Sequence, residues 1–147
     1  MTATLTAPPS GRVTPIPAPS PARAGRRLLK TGATAGIAAA VATPTVAGVA
    51  RGLGVSLRLS GQAIPLPGFA TLTVMGAVIG TVLAIGLVRL ASRPRRSFVT
   101  TTIALTLLSI VPDLLVNAQV STKLTLVLTH FVAAAIVVPA LATRLPE

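Results

Sequence analysis

The sequence predicts an all-α membrane protein: a four-span transmembrane helix bundle, up-down-up-down, with a disordered N-terminal tail. Three observations predict it. Apolar residues make up 52 % of the 147 residues and charged residues only 10 %, with a mean hydropathy of +0.82. A soluble domain carries about 25 % charge, so this chain lacks the polar side chains to coat a water-facing surface. Four apolar stretches reach the roughly 20 residues that a helix needs to cross a bilayer. The 13 Lys and Arg residues flank those stretches and do not line one face, which is the placement that orients a membrane protein.

The first 30 residues carry Pro8, Pro9, Pro15, Pro17, Pro19 and Pro21 among Ala, Thr, Ser and Arg. Proline at that spacing blocks helix and sheet, and little apolar surface offsets the entropy of ordering. The segment reads as a disordered tail, a solvated tether or a proline-rich ligand for a partner domain. It ends in Arg26, Arg27 and Lys30, a basic cluster suited to anionic headgroups.

The first span is expected over about 31–50, where 15 of 20 residues are Ala, Gly or Thr. The second is expected over about 69–90, uncharged until Arg89, the third over about 98–118 and the fourth over about 122–142. Barrel strands are shorter and alternate apolar with polar residues, so helices fit these runs better. Residues 51–68 form a loop with turn signals at Pro65, Pro67 and Gly68. Residues 91–97 make a tight basic turn. Residues 117–121 make a polar turn, with Ser121 or Thr122 placed to cap the fourth helix. Short connections force antiparallel neighbours.

With the N terminus inside, ten of the 13 cations fall on the inner side, and Arg51, Arg58 and Lys123 fall outside. The positive-inside rule then places both termini in the cytoplasm. A rival reading takes residues 26–50 as a twin-arginine export signal: Arg26-Arg27, then Leu28, Leu29 and Lys30, an Ala-rich stretch, and small residues Gly48 and Ala50 before Arg51. Cleavage there would leave three spans.

Composition excludes several functions. Without Cys there is no disulfide, thiolate metal site or cysteine nucleophile. Asp113 and Glu147 are the only acids, too few for paired-carboxylate catalysis or a carboxylate-rich metal site. Phe69, Phe98 and Phe131 are the only aromatic residues, leaving almost nothing to stack on bases. No catalytic residue, cofactor or metal is expected. The expected partners are the lipid bilayer and a second copy of the chain or another membrane protein, not nucleic acid.

Two constellations stand out. Gly32, Gly36 and Ala40 lie four apart in the first span, and Gly76, Gly80 and Ala84 in the second. Small residues on one face let helices approach in lipid, so these faces are expected to meet each other or to mediate self-association. Pro112 and Pro139 free carbonyls in the third and fourth spans, as kinks or as hinges.

Asp113 and His130 form the candidate intramembrane polar site, because an ionisable residue within a span is costly and usually has a reason. Ser109 lies one turn before Asp113, and Lys123 two turns before His130. Three readings stay open. Asp113 and His130 form a structural tie between helices; or they handle a proton or ion; or Asp113 only opens a short outer helix that starts at Pro112. Ser109, Asp113 and His130 are also the residue types of a hydrolase triad, but no nucleophile-elbow glycines surround Ser109.

The loop ending PLPG, the basic middle turn, SIVPDL and above all TKLTLVLTHFVAAAIVVPAL resemble a family of small four-helix membrane proteins of unknown function, common in high-GC actinobacteria. The resemblance covers about 33–142, with Lys123, His130 and Pro139 at the positions typical of that family. Thr129 stands where the family often has Met, and most members lack an acid matching Asp113. The resemblance implies an integral membrane protein with an uncleaved first span and no known activity. The expected function is a non-enzymatic interaction or assembly subunit. The alternative is a small transporter or proton-coupled carrier using Asp113 and His130. A multidrug-exporter subunit fits less well, because such chains carry a Glu in the first span and residues 31–50 hold no acid.

Overall fold

The computed structural model describes residues 21–147. It contains four long helices: α1 (Pro21–Gly52), α2 (Leu66–Leu90), α3 (Pro94–Leu115) and α4 (Val120–Ala142). All four are long and apolar enough to cross a membrane. The tail expected over 1–30 divides at Pro21. Residues 1–20 lie outside the described residues, and residues 21–30 are helical. After Pro21 the next proline is Pro44, so nothing in Ala22–Lys30 breaks the backbone ladder, and the intervening Ala, Arg and Leu are good helix formers.

The helices alternate in direction. One end of the bundle gathers the start of α1, the 91–93 turn and the C-terminal residues, and is called the inner end. The outer end gathers the 53–65 connection and the 116–119 turn. The connection expected to be a plain loop contains a two-residue antiparallel ribbon, β1 (Arg58–Leu59) and β2 (Gln62–Ala63). Ser60 and Gly61 both have positive φ, 48° and 84°, as a tight primed hairpin turn requires. Leu57 also takes a left-handed φ of 44°, while its fully buried side chain packs with Ala47, Phe69 and Leu126. The hairpin thereby plugs the outer end. Ser60 N–H donates to the Asn117 carbonyl at 2.9 Å, and Ser56 Oγ donates to Gln119 Oε1 at 3.1 Å, which ties the hairpin to the α3–α4 turn.

α1 is the central helix and packs most extensively on α2 and α4. Its buried face is Leu28, Gly32, Ala35, Gly36, Ala39, Thr43 and Ala47, a helical stripe made almost wholly of small residues. A side chain at Gly32 would run into Thr81 of α2, and one at Gly36 would sit 3.0 Å from the Ala77 Cβ. The two small-residue stripes therefore meet only in part. The α2 row facing α1 is Ala77, Thr81 and Ala84. Gly80 faces Leu141 and Val137 of α4, and Gly76 has no atom of the described residues within 4 Å of where a side chain would start. A row four apart drifts around a helix that turns every 3.6 residues, so Gly76, Gly80 and Ala84 spread over three environments. Ala40, flanking the α1 stripe, is half-buried.

α4 begins at Val120, with extended Gln119 before it and no side-chain cap. Ser121 and Thr122 lie inside the helix and do not cap it. Thr122 is fully buried, and its hydroxyl has no hydrogen-bond partner among the described residues. At the inner end, Arg95 N–H donates to the Pro146 carbonyl and its guanidinium pairs with Glu147, fastening the C-terminal residues to the start of α3.

Candidate functional site

α3 continues through Pro112 and Asp113 to Leu115, so no separate outer helix starts at Pro112. That reading of Asp113 is overturned: a proline inside a membrane helix is tolerated when its surroundings accommodate it, and Pro112 O still accepts the Val116 N–H at 3.0 Å. Asp113 sits in the last turn of α3, about 3 Å along the axis from its end, whereas His130 sits about 15 Å into α4. They meet because Val116 and Gln119 are extended and carry the chain past the end of α3 before α4 turns back.

His130 Nδ1 lies 3.0 Å from Asp113 Oδ2 and 3.0 Å from the Leu126 carbonyl oxygen. A ring nitrogen carries at most one hydrogen, and a carbonyl can only accept. The aligned bond runs from Nδ1–H to Leu126, one turn back on the same helix. Asp113 Oδ2, although within ion-pair distance, is left without an aligned hydrogen bond. The Asp113 side chain is 18 % exposed and that of His130 37 %. A largely buried carboxylate oxygen therefore competes with a backbone carbonyl for one proton.

The other two members of the expected cluster are spent locally. Lys123 Nζ donates to the Leu114 carbonyl at 2.7 Å. That carbonyl belongs to the last turn of α3, where carbonyls lack helical partners and a cation is favoured. Ser109 Oγ donates to the Thr106 carbonyl of its own helix at 2.7 Å. No hydrogen bond joins Ser109 to His130 among the described residues, so the triad is not assembled. The structure thus brings together Asp113 with His130 and Lys123 with the end of α3, and leaves Ser109 aside.

Sequence reasoning missed the buried threonines. Thr43 and Thr73 hydroxyls lie 2.9 Å apart and share a hydrogen bond between α1 and α2. Thr122, Thr125 and Thr129 lie buried along the outer half of α4; Thr125 and Thr129 donate to the carbonyls of Ser121 and Leu126. The available signal was the presence of hydroxyls in otherwise apolar spans, since interhelical Ser and Thr bonds are a recurrent tie in lipid. An open apolar groove of about 320 Å³ lies between α3 and α4, bounded by Ile103, Leu107, Phe131, Ala135 and Pro139 among others. It does not include Asp113 or His130.

Comparison with known proteins identifies a family and no activity. A family model described as a family of unknown function (DUF6069) matches residues 23–147, all four helices included, and the chain belongs to that family. No curated protein matches the chain, and no solved structure does.

Proposed function

We propose, taking that family membership as the premise, that this protein is a non-enzymatic integral membrane protein that serves as an interaction or assembly subunit. One observation carries the reading: the Asp113–His130 contact closes on the protein itself. His130 is bonded to its own helix, Lys123 to the end of α3, and the groove between α3 and α4 stays apolar. Lys123 ties α4 to the end of α3, and Asp113 stands 3.0 Å from His130 across the same seam. The surface left for other molecules is apolar, including Leu72, Met75 and Ile79 around the open Gly76.

The second reading, a proton-coupled carrier, draws on the unaligned Asp113 Oδ2 beside an imidazole. Acidic and histidine side chains in spans are common proton relays. Proton flux into proteoliposomes of the full-length protein separates the two. The subunit reading expects flux equal to that of empty vesicles and a defined oligomer or a co-purifying membrane partner. Flux that vanishes in Asp113→Asn while the helical content is retained establishes the carrier.

For the setting, the reading is a bacterial plasma membrane with both termini in the cytoplasm and α1 retained. The asymmetry of the basic residues supports the orientation. The packing of α1 between α2 and α4 supports its retention, because cleavage would strip the apolar faces of both. The chain has no cysteine, so single thiols report sidedness. Gln62→Cys in the hairpin is expected to react with an impermeant maleimide in intact cells, and Ser92→Cys only after permeabilisation. The opposite pattern inverts the topology.

A further inference from the structure

Two features already described, the basic inner end and the α3–α4 groove, carry a more specific inference when taken together. The first is charge. Arg23, Arg26, Arg27, Lys30, Arg89, Arg93, Arg95, Arg96 and Arg144 lie at the inner end, and the whole chain contains two carboxylates. Glu147 is paired with Arg95, and Asp113 stands in the outer half beside His130. The 147 residues hold no further acidic side chain beside the remaining cations, which leaves those cations open to an external anion.

The second feature is the α3–α4 groove. Its floor on α3 is Ile103, Thr106 and Leu107, and on α4 Ala134, Ala135, Val138 and Pro139, with Phe131 at the far end. Pro139 is about one turn from the end of α4, and Ile103 is roughly 13 Å from the start of α3, so the groove begins below the headgroup level and runs towards the bilayer centre. On α3 the same face carries Arg96, two turns before Ile103 and three before Leu107. Arg96 is exposed. Its neighbour Arg95 is engaged by the C-terminal residues. The start of α3 adds the partial positive charge of a helix N-terminus, which favours phosphate.

We propose that this is a binding site for one anionic phospholipid. The phosphate rests on Arg96 at the start of α3, and one acyl chain lies in the groove between α3 and α4. Charge complementarity selects the lipid. An apolar helix from a second copy could fill the groove, but it would leave Arg96, two turns before Ile103 on the same α3 face, without an anion. The site differs from a diffuse basic collar because one cation shares a helix face with a cavity of acyl-chain character.

The experiment is native mass spectrometry of the full-length protein, with phosphatidylglycerol or phosphatidylcholine of matched chains titrated into the detergent. One phosphatidylglycerol is expected to bind in preference to phosphatidylcholine. Arg96→Gln is expected to weaken its retention about fivefold, the effect of one basic contact with an anionic lipid, while Arg96→Lys retains most of it. Arg89→Gln, on α2 away from the groove, is expected to leave retention unchanged. Ala135→Leu, which fills the groove, is expected to weaken long-chain lipid more than a short-chain one. Equal retention of both lipids overturns the proposal, as does an equal effect of Arg89→Gln and Arg96→Gln. A shift in oligomeric state on Ala135→Leu, with lipid retention untouched, overturns it in favour of a contact between copies. Far-ultraviolet circular dichroism of each variant ensures that loss of lipid is read on folded protein.

Discussion

The α1–α2 seam and the α3–α4 seam solve the same problem by different means. In lipid no hydrophobic driving force brings helices together, so packing and interhelical hydrogen bonds must do it. The first seam is close. Gly32 lies against Thr81, Gly36 against Ala77, and Thr43 bonds to Thr73. The second seam is open along its middle, where Ile103, Leu107 and Phe131 border the groove. Its polar contacts sit in the outer half, Asp113 with His130 and Lys123 with the Leu114 carbonyl. Where small residues allow backbones to approach, dispersion contacts are dense and no charge is needed. Where large side chains hold helices apart, a few polar contacts must fix the register.

The sharpest way to break the first seam is Gly32→Leu. Even a Cβ at that position meets the Thr81 hydroxyl and methyl, and both are part of a helix that cannot yield without moving its neighbours. Overpacking of this kind costs about 1–3 kcal/mol or more. The expected outcome is a large fall in the midpoint of SDS-induced unfolding, followed by circular dichroism in mixed micelles. A midpoint equal to wild type would mean that α1 does not dock through this face.

The second seam is tested by a double-mutant cycle on Asp113→Asn and His130→Ala. Interhelical polar contacts in membrane proteins contribute about 0.6 kcal/mol on average and about 1.7 at most. A coupling of about 1 kcal/mol is expected in the same unfolding assay. Additive single effects would show that the 3.0 Å approach fixes nothing, and that the register rests on Lys123 and the 116–119 turn. A smaller effect is expected for Thr43→Val, which keeps the shape and removes the bond to Thr73. About 0.6 kcal/mol is the scale for one such bond in lipid, and the first seam should survive it because its packing remains.

Composition and periodicity made the four helices and their alternation legible, since no other secondary structure satisfies backbone groups in long apolar runs. The meeting of Asp113 and His130 was legible too, because sequential helices joined by a short turn must be neighbours. What was not legible is rotational. Gly76, Gly80 and Ala84 form one row in sequence, yet they face open space, α4 and the core respectively. Sequence spacing gives a face and not the partner it meets. The hairpin was missed for a local reason. Ser60-Gly61 is itself a turn signal, but two-residue strands leave no alternating pattern around it. The start of α1 was missed because the prolines up to Pro21 overshadowed the nine proline-free residues that follow it.

Gly32 and Gly76 give the finest test of the comparison, because they are the same residue type, each the first of a row of small residues. Gly32 is buried against Thr81, and Gly76 is exposed on the outer face of α2. Gly76→Leu adds a side chain where nothing stands within 4 Å. The bundle's unfolding midpoint should therefore stay within about 0.5 kcal/mol of wild type, as for a surface change away from any special feature. If the outer face of α2 is where copies of the chain associate, the same substitution lowers the oligomeric fraction, read by energy transfer between labelled chains in vesicles. A loss of both stability and association would place Gly76 inside the bundle, and the α1–α2 seam would then use a different face of α2 from the one that carries Ala77 and Thr81.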